Sequence, residues 1–432
     1  MKKKFVKNFL EFTDNSKSVF HTVYLLEEKL KNNNFKELKL NEKWEISLGS
    51  NYYIKRGDSA LIALSIPENL DSFFFKITVN HTDTPGFKIK PNPVTTGENS
   101  YIRFNTEVYG GPILNTWLDR PLSIAGRVIV KGESILTPKS VLIDIDRPLL
   151  VIPNVAIHQN REVNDGQKLS KQNDMLPLIS LISSNLNSEE LLLNLILANS
   201  NLEKEEILDS EFFLYDVCKG VIFGNNNELI NTPKIDNLAS TYAGLHGFLE
   251  SNSKNGINVL GCFDNEECGS RSVQGADSNL LLNILERISN SLGKSKEEFY
   301  QSIYSSFMIS ADGAHAIHPA KVGKTDITNK PKLNCGVVIK HSANKSYATD
   351  AFTCSVIKHL AKENNIKIQE FVNHSDERGG STLGPVSIGH LDINTIDLGI
   401  PMLSMHSVRE TAGVDDIYDL KELIRVFYSL NN

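Results

Sequence analysis

Four apolar segments of the chain end directly at histidine or carboxylate residues. The segments are rich in Phe, Ile and Val, as buried β-strands are, and they occupy 73–80, 257–263, 306–310 and 400–405. The polar residues that follow them are, in chain order, His81 and Asp83, Glu266 and Glu267, Asp312, and His406. Histidine nitrogen and carboxylate oxygen without cysteine form a donor set that suits zinc and similar metals. These residues therefore predict a metal site at the ends of strands.

Each of these junctions has a simpler interpretation when it is taken alone. The pair at 81 and 83 could be the polar tip of a turn, and 264–267 could be an exposed acidic turn. Ser407 and Glu410 fit a helix-capping box, so His406 could merely precede a helix. The joint occurrence favours a shared site, because functional groups of open α/β sheets collect at the carboxyl ends of strands. Adjacent carboxylates also repel each other unless a cation or proton relieves them.

Helical segments alternate with the apolar runs and complete the expected scaffold. Apolar residues at helical spacing predict helices at 16–35, 237–252, 277–292, 350–365 and 414–430. Further strands are predicted at 60–66 and 335–340. Strands that alternate with helices indicate an α/β sheet with helices on its faces.

The stretch 91–232 differs from the rest of the chain. Its first half is rich in proline and in turn-forming sequences between short strands, and a Leu- and Ile-rich run at 178–198 predicts a helix. We interpret 91–232 as a domain inserted into an α/β domain that consists of 1–90 and 233–432.

Charge and cysteine content exclude several classes of protein. The 432 residues include 45 basic and 52 acidic ones, and the net charge of −7 argues against nucleic acid or an anionic membrane as the main partner. We expect no membrane span and no signal sequence, because Lys7, Glu11 and Asp14 interrupt any apolar stretch after the basic first residues. Five scattered cysteines without CxxC spacing favour a reducing compartment, so we expect a cytoplasmic protein.

Longer motifs follow one another from residue 79 to residue 410. They include VNHTDTPGFKIKP (79–91), GGPILNTWLDRPLSIAGRV (110–128), IPNVAIHQNREVNDG (152–166), KIDNLAS (234–240), FDNEECGSRSVQGA (263–276), SADGAHAIHPA (310–320) and LSMHSVRE (403–410). In these motifs the chain resembles the aspartyl aminopeptidase and vacuolar aminopeptidase I family of dizinc metallopeptidases. The resemblance implies a mixed-sheet α/β metallopeptidase domain with an inserted, β-rich oligomerisation domain.

The resemblance also implies a set of metal ligands. His81 and Asp312 would bind one zinc ion, Glu267 and His406 would bind the other, and Asp236 would bridge the two. The peptide bond after the bridging aspartate is expected to be cis. Two Zn²⁺ ions per subunit are therefore expected, with Mn²⁺ or Co²⁺ able to substitute.

Three further residues receive catalytic roles from the resemblance. Glu266 would be the general base for a water held between the two zinc ions. Asp83 would orient His81 through the second ring nitrogen of that histidine. His315 would stabilise the tetrahedral oxyanion, although a purely structural role for a loop histidine is the alternative.

Substrate preference depends on further matches to the family. Lys340 matches the lysine that faces acidic side chains in aspartyl-specific members, and Tyr347 would lie near the same pocket, but a lysine that ends a strand is usually a solvated cap. His158 resembles a histidine that is contributed to a neighbouring subunit's site. The segment 320–330 departs from the family's Lys-His-Glu-rich pattern, and Arg378 stands where a Pro-Cys pair begins in the family. A preference for acidic and a preference for neutral N-terminal residues of the substrate are therefore both open at this point.

The resemblance thus predicts a zinc-dependent aminopeptidase that releases N-terminal residues from peptides, with a preference for acidic residues (Asp or Glu). One alternative is a neutral, leucine-type preference within the same family, and another is a non-catalytic, shell-forming assembly protein. The intact Glu266 and metal positions argue against the second alternative. A carboxypeptidase or deacylase would need a basic clamp for a terminal carboxylate, which no motif obviously supplies. The resemblance further implies a homo-oligomer, a dodecamer built from dimers.

Overall fold

The computed structural model of the chain describes residues 2–183 and 190–431. Its α-helices are α1 (Lys2–Asn15), α2 (Val19–Lys31), α3 (Leu191–Ala198), α4 (Ile235–Leu249), α5 (Leu280–Ser291), α6 (Lys296–Tyr304), α7 (Ala351–Glu363), α8 (Leu383–Ile388) and α9 (Val414–Tyr428). Among the described residues, no helix combines the length and the apolar character needed to cross a membrane. All five cysteines are free thiols.

The strands of the described residues fall into three sheets. They are β1 (Lys36–Glu37), β2 (Asn51–Arg56), β3 (Ala60–Ser65), β4 (Phe75–His81), β5 (Gly86–Gly97), β6 (Tyr101–Tyr109), β7 (Leu122–Val130), β8 (Lys139–Asp144), β9 (Leu178–Leu181), β10 (Ile207–Asp216), β11 (Val221–Phe223), β12 (Leu229–Thr232), β13 (Ile257–Phe263), β14 (Phe307–Ala311), β15 (Ala314–His315), β16 (Val337–His341), β17 (Ile368–Val372), β18 (Asn394–Gly399), β19 (Pro401–Leu403) and β20 (Glu410–Gly413).

The main sheet is mixed and has nine strands in the order β1-β2-β3-β13-β4-β14-β18-β16-β17. β13, β4, β14 and β18 run parallel to one another, whereas β3 and β16 pair antiparallel with β13 and β18. Every residue of β4 and β13 is buried. Strands buried on both faces are typical of sheets that carry helices on both sides. The predicted α/β class is confirmed.

Alternate residues of β3 show how the two cores form. Leu61 and Ala63 join the apolar core that contains α1, α2, α4, α7 and α9, whereas Ile62 and Leu64 join the core that contains α5, α6 and α8. Because successive side chains of a strand point to opposite faces, the two groups of helices lie on opposite faces of the sheet. Helices thus cover both faces of the sheet, and functional residues of such sheets collect at the ends of the strands.

A second sheet has six strands in the order β8-β7-β10-β5-β6-β9 and a core of its own around Phe87, Phe104 and Trp117. It runs from Gly86 to Asp216, mostly inside the stretch 91–232. β11 and β12 also fall in that stretch, but they join a third, five-stranded sheet with β20, β19 and β15. The domain boundaries drawn from the sequence, and an assembly role for that stretch, stay predictions.

Several elements differ from the sequence-based expectations, although α4, α5, α7 and α9 confirm four of the predicted helices. The helix predicted at 16–35 is the shorter α2, and α1 was not predicted. α1 presents Phe5, Val6, Phe9 and Leu10 at helical spacing to the core, a pattern that the basic residues around it obscured.

Two further predictions were wrong in part. The run at 178–198 was expected to be one helix, but its first residues form β9, because the edge of β6 is free to pair with them. Residues 184–189 of that run lie outside the described residues, and α3 is the helical part of the residues that the structure does describe there. The strand expected at 400–405 is the short β19, which lies in the third sheet, while β18 takes the place in the main sheet.

Candidate metal centre

Five elements bring histidine and carboxylate side chains together beyond the carboxyl ends of the central strands. His81 is the last residue of β4, Asp312 follows β14, and Glu267 lies in a 3₁₀ turn after β13. Asp236 lies in the first turn of α4, and His406 lies in the connection between β19 and β20. Parallel neighbouring strands end at the same edge of a sheet, which explains the first three positions. The Asp236–Asn237 peptide bond is cis, as the resemblance implied.

Two groups of potential ligand atoms share Asp236. Nε2 of His81 lies 3.5 Å from Oδ1 of Asp236 and 3.4 Å from Oδ1 of Asp312. Nε2 of His406 lies 3.5 Å from Oδ2 of Asp236 and 3.4 Å from Oε2 of Glu267. Within each group the three ligand atoms lie within 4.8 Å of one another. Asp236 thus offers one carboxylate oxygen to each group, as a bridging ligand would.

The centre has an excess of buried negative charge, and this excess tests whether metal ions fit. Oδ1 of Asp236 and Oε1 of Glu267 are buried without a hydrogen-bond partner, an arrangement that is costly unless a cation is present. Burial, and then Asp236, raise the pKa of Glu267 well above its usual range. Burial opposes the charge of Asp236 too, but His406 and His81 outweigh it and hold the pKa of Asp236 below its usual range. Divalent cations would neutralise this excess, and the nitrogen and oxygen donors suit zinc.

Asp83 fixes both a ligand and the turn that carries two glutamates. Its backbone carbonyl oxygen lies 3.1 Å from Nδ1 of His81, so that Nε2 faces the ligand group. Its carboxylate accepts hydrogen bonds from the backbone N–H groups of Glu266 at 3.2 Å and Glu267 at 3.1 Å, and from the hydroxyl of Tyr109 at 2.7 Å. The geometry therefore suits the orienting role expected of Asp83.

Glu410 holds two of the ligand-bearing segments and was missed as a functional residue. Its carboxylate is buried and accepts hydrogen bonds from the backbone N–H of Asp236 at 2.8 Å and of His406 at 2.7 Å. In the sequence this residue fitted a capping box with Ser407. That alternative is wrong, because β20 begins at Glu410 and the next helix begins only at Val414.

The second sheet reaches the centre through the turn that follows β6. Gly110 has a φ of 68°, and a Cβ at this position would lie 3.0 Å from Cβ of Glu267, so the close approach requires glycine. The carbonyl oxygen of Gly111 lies 3.1 Å from Nδ1 of His406. In the sequence, Gly110 and Gly111 belong to a turn-forming stretch and to a family motif, but neither they nor Tyr109 received a role at the centre.

Glu266 faces the same space as the ligands and has the position of an acid–base group. Its Oε2 lies 4.0 Å from Nε2 of His81. Burial, and then the charges of Asp312 and Asp236, raise the pKa of Glu266 to about 8 against the opposing charge of His81. The alternative of an exposed acidic turn is wrong, since Asp264 is only 7% exposed.

A pocket of about 220 Å³ opens onto the centre and contains Lys340 and Tyr347 as well as the ligands Asp236, Glu267, Asp312 and His406. Lys340 is 2% exposed, so the alternative of a solvated strand cap is wrong. Its Nζ lies 3.5 Å from Oδ2 of Asp312, donates a hydrogen bond to the carbonyl oxygen of Gly313 at 2.6 Å, and lies 5.3 Å from the ring centre of Tyr347. Burial opposes its charge, but Asp312 and Tyr347 outweigh burial and raise the pKa of Lys340.

The remaining predicted residues divide between the pocket and the surface. His315 lines the pocket, with its ring 5.9 Å from that of Phe371. Desolvation by the surrounding protein, and then the charge of Lys340, lower the pKa of His315 and favour its neutral form. Arg378 and His158 are exposed and do not line this pocket. Within one chain the structure therefore does not bring those two residues to the centre.

This fold and centre are typical of a metal-dependent hydrolase, because a buried glutamate with a raised pKa and a pocket accompany the potential ligand groups at the carboxyl edge of the parallel strands. The family model described as "Aminopeptidase I zinc metalloprotease (M18)" matches residues 12–428. The chain belongs to this M18 family of aminopeptidases, which are zinc metallopeptidases. The resemblance and the enzyme class expected from the sequence are confirmed.

Individual relatives agree with this assignment. The chain is 48% identical over 428 residues to a probable M18 family aminopeptidase 2 of Clostridium novyi, and the match covers 99% of each chain. The structure resembles Ape4 as solved in a complex with Nbr1, with a TM-score of 0.93, 34% identity and coverage of 99% of this chain and 86% of the other. It also resembles the S. cerevisiae mApe1 dodecamer, with a TM-score of 0.85, 25% identity and coverage of 98% and 95%.

Proposed function

We propose that the chain is a dizinc aminopeptidase that removes N-terminal residues from peptides and prefers acidic ones. The proposal rests on one observation, the sharing of Asp236 between two ligand groups at the mouth of a pocket that contains an acid–base glutamate. The family supplies the zinc dependence and the aminopeptidase reaction. The number of ions, the mechanism and the preference for acidic residues are our inferences.

The residues that would hold the metal are His81 and Asp312 for one ion, Glu267 and His406 for the other, and Asp236 for both. When bound, zinc would polarise the scissile carbonyl group and acidify a water molecule. Glu266 would accept the proton of the attacking water and deliver it to the leaving amine, because its carboxylate lines the same pocket.

Other side chains would position the substrate around this step. The free α-amino group would lie near the carboxylates of the centre, which confines cleavage to the first residue of a peptide. His315 would donate a hydrogen bond to the developing oxyanion from the wall of the pocket. Asp83 would keep Nε2 of His81 directed at the ligand group through the contacts of its carbonyl oxygen.

The acidic preference rests on Lys340. A substrate carboxylate that enters the pocket loses water and needs a positive partner, and Lys340 is a buried ammonium group on the pocket wall. Asp312 already balances part of this charge at 3.5 Å. A zinc ion bound by Asp312 would compete for that carboxylate and leave the ammonium group freer to pair with substrate.

A Lys340→Leu variant should lose most of its activity on N-terminal Asp and Glu while Leu hydrolysis stays similar or improves. Removing one partner of a buried charge pair costs roughly 2–5 kcal/mol, so the Asp/Leu ratio of kcat/KM should fall by at least about 30-fold. The measurement is kcat/KM for aspartyl and leucyl substrates in both proteins, together with zinc content, since Lys340 contacts a ligand.

The matched control for this test is Lys332→Leu, because that lysine is exposed and does not line the pocket. It should leave the Asp/Leu ratio unchanged. A wild-type preference for Leu, or an unchanged ratio in Lys340→Leu with full zinc content, would contradict the acidic assignment. The neutral, leucine-type alternative would then hold.

We also propose a dodecamer built from dimers, with 91–232 at the contacts and His158 completing a neighbouring site. The relative from S. cerevisiae named above is a dodecamer. In this chain the connection between β7 and β8 exposes Ile135 by 98% and Leu136 by 92%, and Leu181 of β9 is 62% exposed. Adjacent large apolar side chains exposed to this extent, as Ile135 and Leu136 are, are typical of protein–protein contacts, and Leu181 lies at the opposite edge of the same sheet.

Light scattering should therefore find about twelve copies of the 48.2 kDa chain. Ile135→Asp should reduce the mass, because a charge would be buried at a contact. Ile327→Asp is the control, since Ile327 is 80% exposed but lies outside 91–232, and it should not change the mass. A fully active monomer would contradict both the assembly and the contribution of His158 to a neighbouring site.

A further inference from the structure

A second cluster of metal-ligating side chains lies beneath α7, away from the centre described above. His341 is the last residue of β16, Glu370 lies on the paired strand β17, and Cys354 lies on α7. His341 follows Lys340, and successive side chains of a strand point to opposite faces, so the cluster and the substrate pocket lie on opposite faces of β16. None of the three residues belongs to the ligand groups around Asp236.

The geometry of the cluster is that of a three-ligand site. One ligand atom from each of His341, Cys354 and Glu370 lies within 4.8 Å of the other two. Nε2 of His341 lies 3.5 Å from Oε2 of Glu370, but it is buried and has no hydrogen-bond partner among the described residues. Cys354 is 4% exposed, so its thiol is enclosed under the helix. A buried ring nitrogen without a partner is costly and calls for a ligand.

We propose that His341, Cys354 and Glu370 bind a further transition-metal ion of the zinc type, in competition with the side chain of Lys358. Imidazole, thiolate and carboxylate together suit zinc, cobalt and similar ions and discriminate against magnesium and calcium, which prefer oxygen ligands. Three protein ligands leave one position of a tetrahedral ion for water. The inference goes beyond the proposed function, because it concerns different residues and does not depend on peptidase activity.

Metal binding to the cluster would require a change in the protonation of its ligands and in the position of a neighbouring lysine. Burial lowers the pKa of His341, which keeps its ring neutral and its lone pair available. Burial raises the pKa of the Cys354 thiol, so an entering ion must displace the thiol proton to solvent. Lys358 pairs with Glu370 and supplies the positive charge there. Its side chain is 44% exposed, so it can turn outward when a divalent ion takes that place.

Cobalt is the probe that separates this site from the candidate metal centre. Adding Co²⁺ to the full-length protein should produce a near-ultraviolet thiolate-to-cobalt charge-transfer band that saturates at one ion per chain. The ligands around Asp236 include no thiolate, so cobalt bound there gives no such band. Failure of the proposed peptidase function would leave this signal unchanged.

Variants of the cluster test the assignment from both directions. Cys354→Ser should abolish the band. His341→Ala should weaken cobalt binding by at least about tenfold, because the loss of a residue that merely supports a metal ligand already costs roughly 10- to 100-fold in affinity. Lys358→Met should tighten cobalt binding, because the competing ammonium group is gone. Cys268→Ser is the matched control. That exposed thiol follows Glu267 at the candidate metal centre and is not part of the cluster, so the variant should keep the band.

Four outcomes would overturn the proposal. They are the absence of a band in the wild-type protein, a full band in Cys354→Ser, loss of the band in Cys268→Ser, and unchanged or weaker binding in Lys358→Met. If Cys354→Ser does not fold, His341→Ala decides the question, because its side chain is partly exposed and its loss spares the core. Cobalt binding of wild-type strength in His341→Ala would then exclude the site.

Discussion

An Asp236→Ala variant should lose both metal ions of the centre and not only one. Each oxygen of this carboxylate faces a different ligand group, at 3.5 Å from His81 and 3.5 Å from His406. Removing the side chain therefore leaves two protein ligands in each group, one fewer than catalytic zinc sites use. Metal analysis of the purified variant should find about two fewer zinc ions per subunit than in the wild type.

Asp312→Ala is the informative comparison for this test. Asp312 belongs to the ligand group of His81 but not to that of His406, so its loss should remove one ion and spare the other. Two tightly bound ions at the centre of Asp236→Ala would contradict the bridging assignment. Equal losses in Asp236→Ala and Asp312→Ala would show that the two positions fill only together, which the geometry of separate groups does not predict.

A Glu266→Gln variant should keep its metal and lose turnover by roughly 10²–10⁴, the usual contribution of a positioned acid–base group. Glutamine preserves the shape of the side chain but cannot accept a proton from water. Glu266 is not part of the two ligand groups that share Asp236, so the zinc content should stay at the wild-type level. The measurements are kcat on aminoacyl chromogenic substrates and zinc per subunit.

The control for this variant is Glu297→Gln, an exposed glutamate on α6 that should leave turnover unchanged. Near-normal turnover in Glu266→Gln would mean that another group is the base. A wild-type protein that hydrolyses no aminoacyl substrate in the presence of zinc, manganese or cobalt would favour the non-catalytic, shell-forming alternative. Loss of zinc in Glu266→Gln would instead place Glu266 among the ligands.

Site residues could be predicted from the sequence where the residues next to them in the chain already indicated their place in the fold. His81 ends β4, Asp312 directly follows β14, and Glu267 lies in the turn after β13. The apolar residues of these strands are continuous in the sequence, so both the residue types and their common edge could be predicted. Asp236 lies in a short polar turn at the start of α4 and was identified only through the resemblance. Glu410 was misinterpreted because S-x-x-E is also a helix-capping pattern, and it becomes a strand residue only through the pairing of β20 with β12, where Glu410 lies opposite Thr232.

The secondary structure divides in the same way, into elements that neighbouring residues indicate and elements that depend on distant contacts. α4, α5, α7 and α9 were predictable because each repeats apolar residues at helical spacing over several turns. β9 was not, because its Leu- and Ile-rich residues suit a helix and become a strand only where β6 offers an unpaired edge.

By itself, the sequence determined the donor types of the centre, the strands that carry most of them, and the family to which the chain belongs. Only the tertiary structure decided that Lys340 is a buried pocket residue, that Tyr109 and Gly110 from the second sheet support the centre, and that Glu410 fixes the backbone of Asp236. The reason is distance along the chain. Glu410 and Asp236 are 174 positions apart, and hydrogen bonds of that span are specified by the packing of whole elements and not by any local pattern.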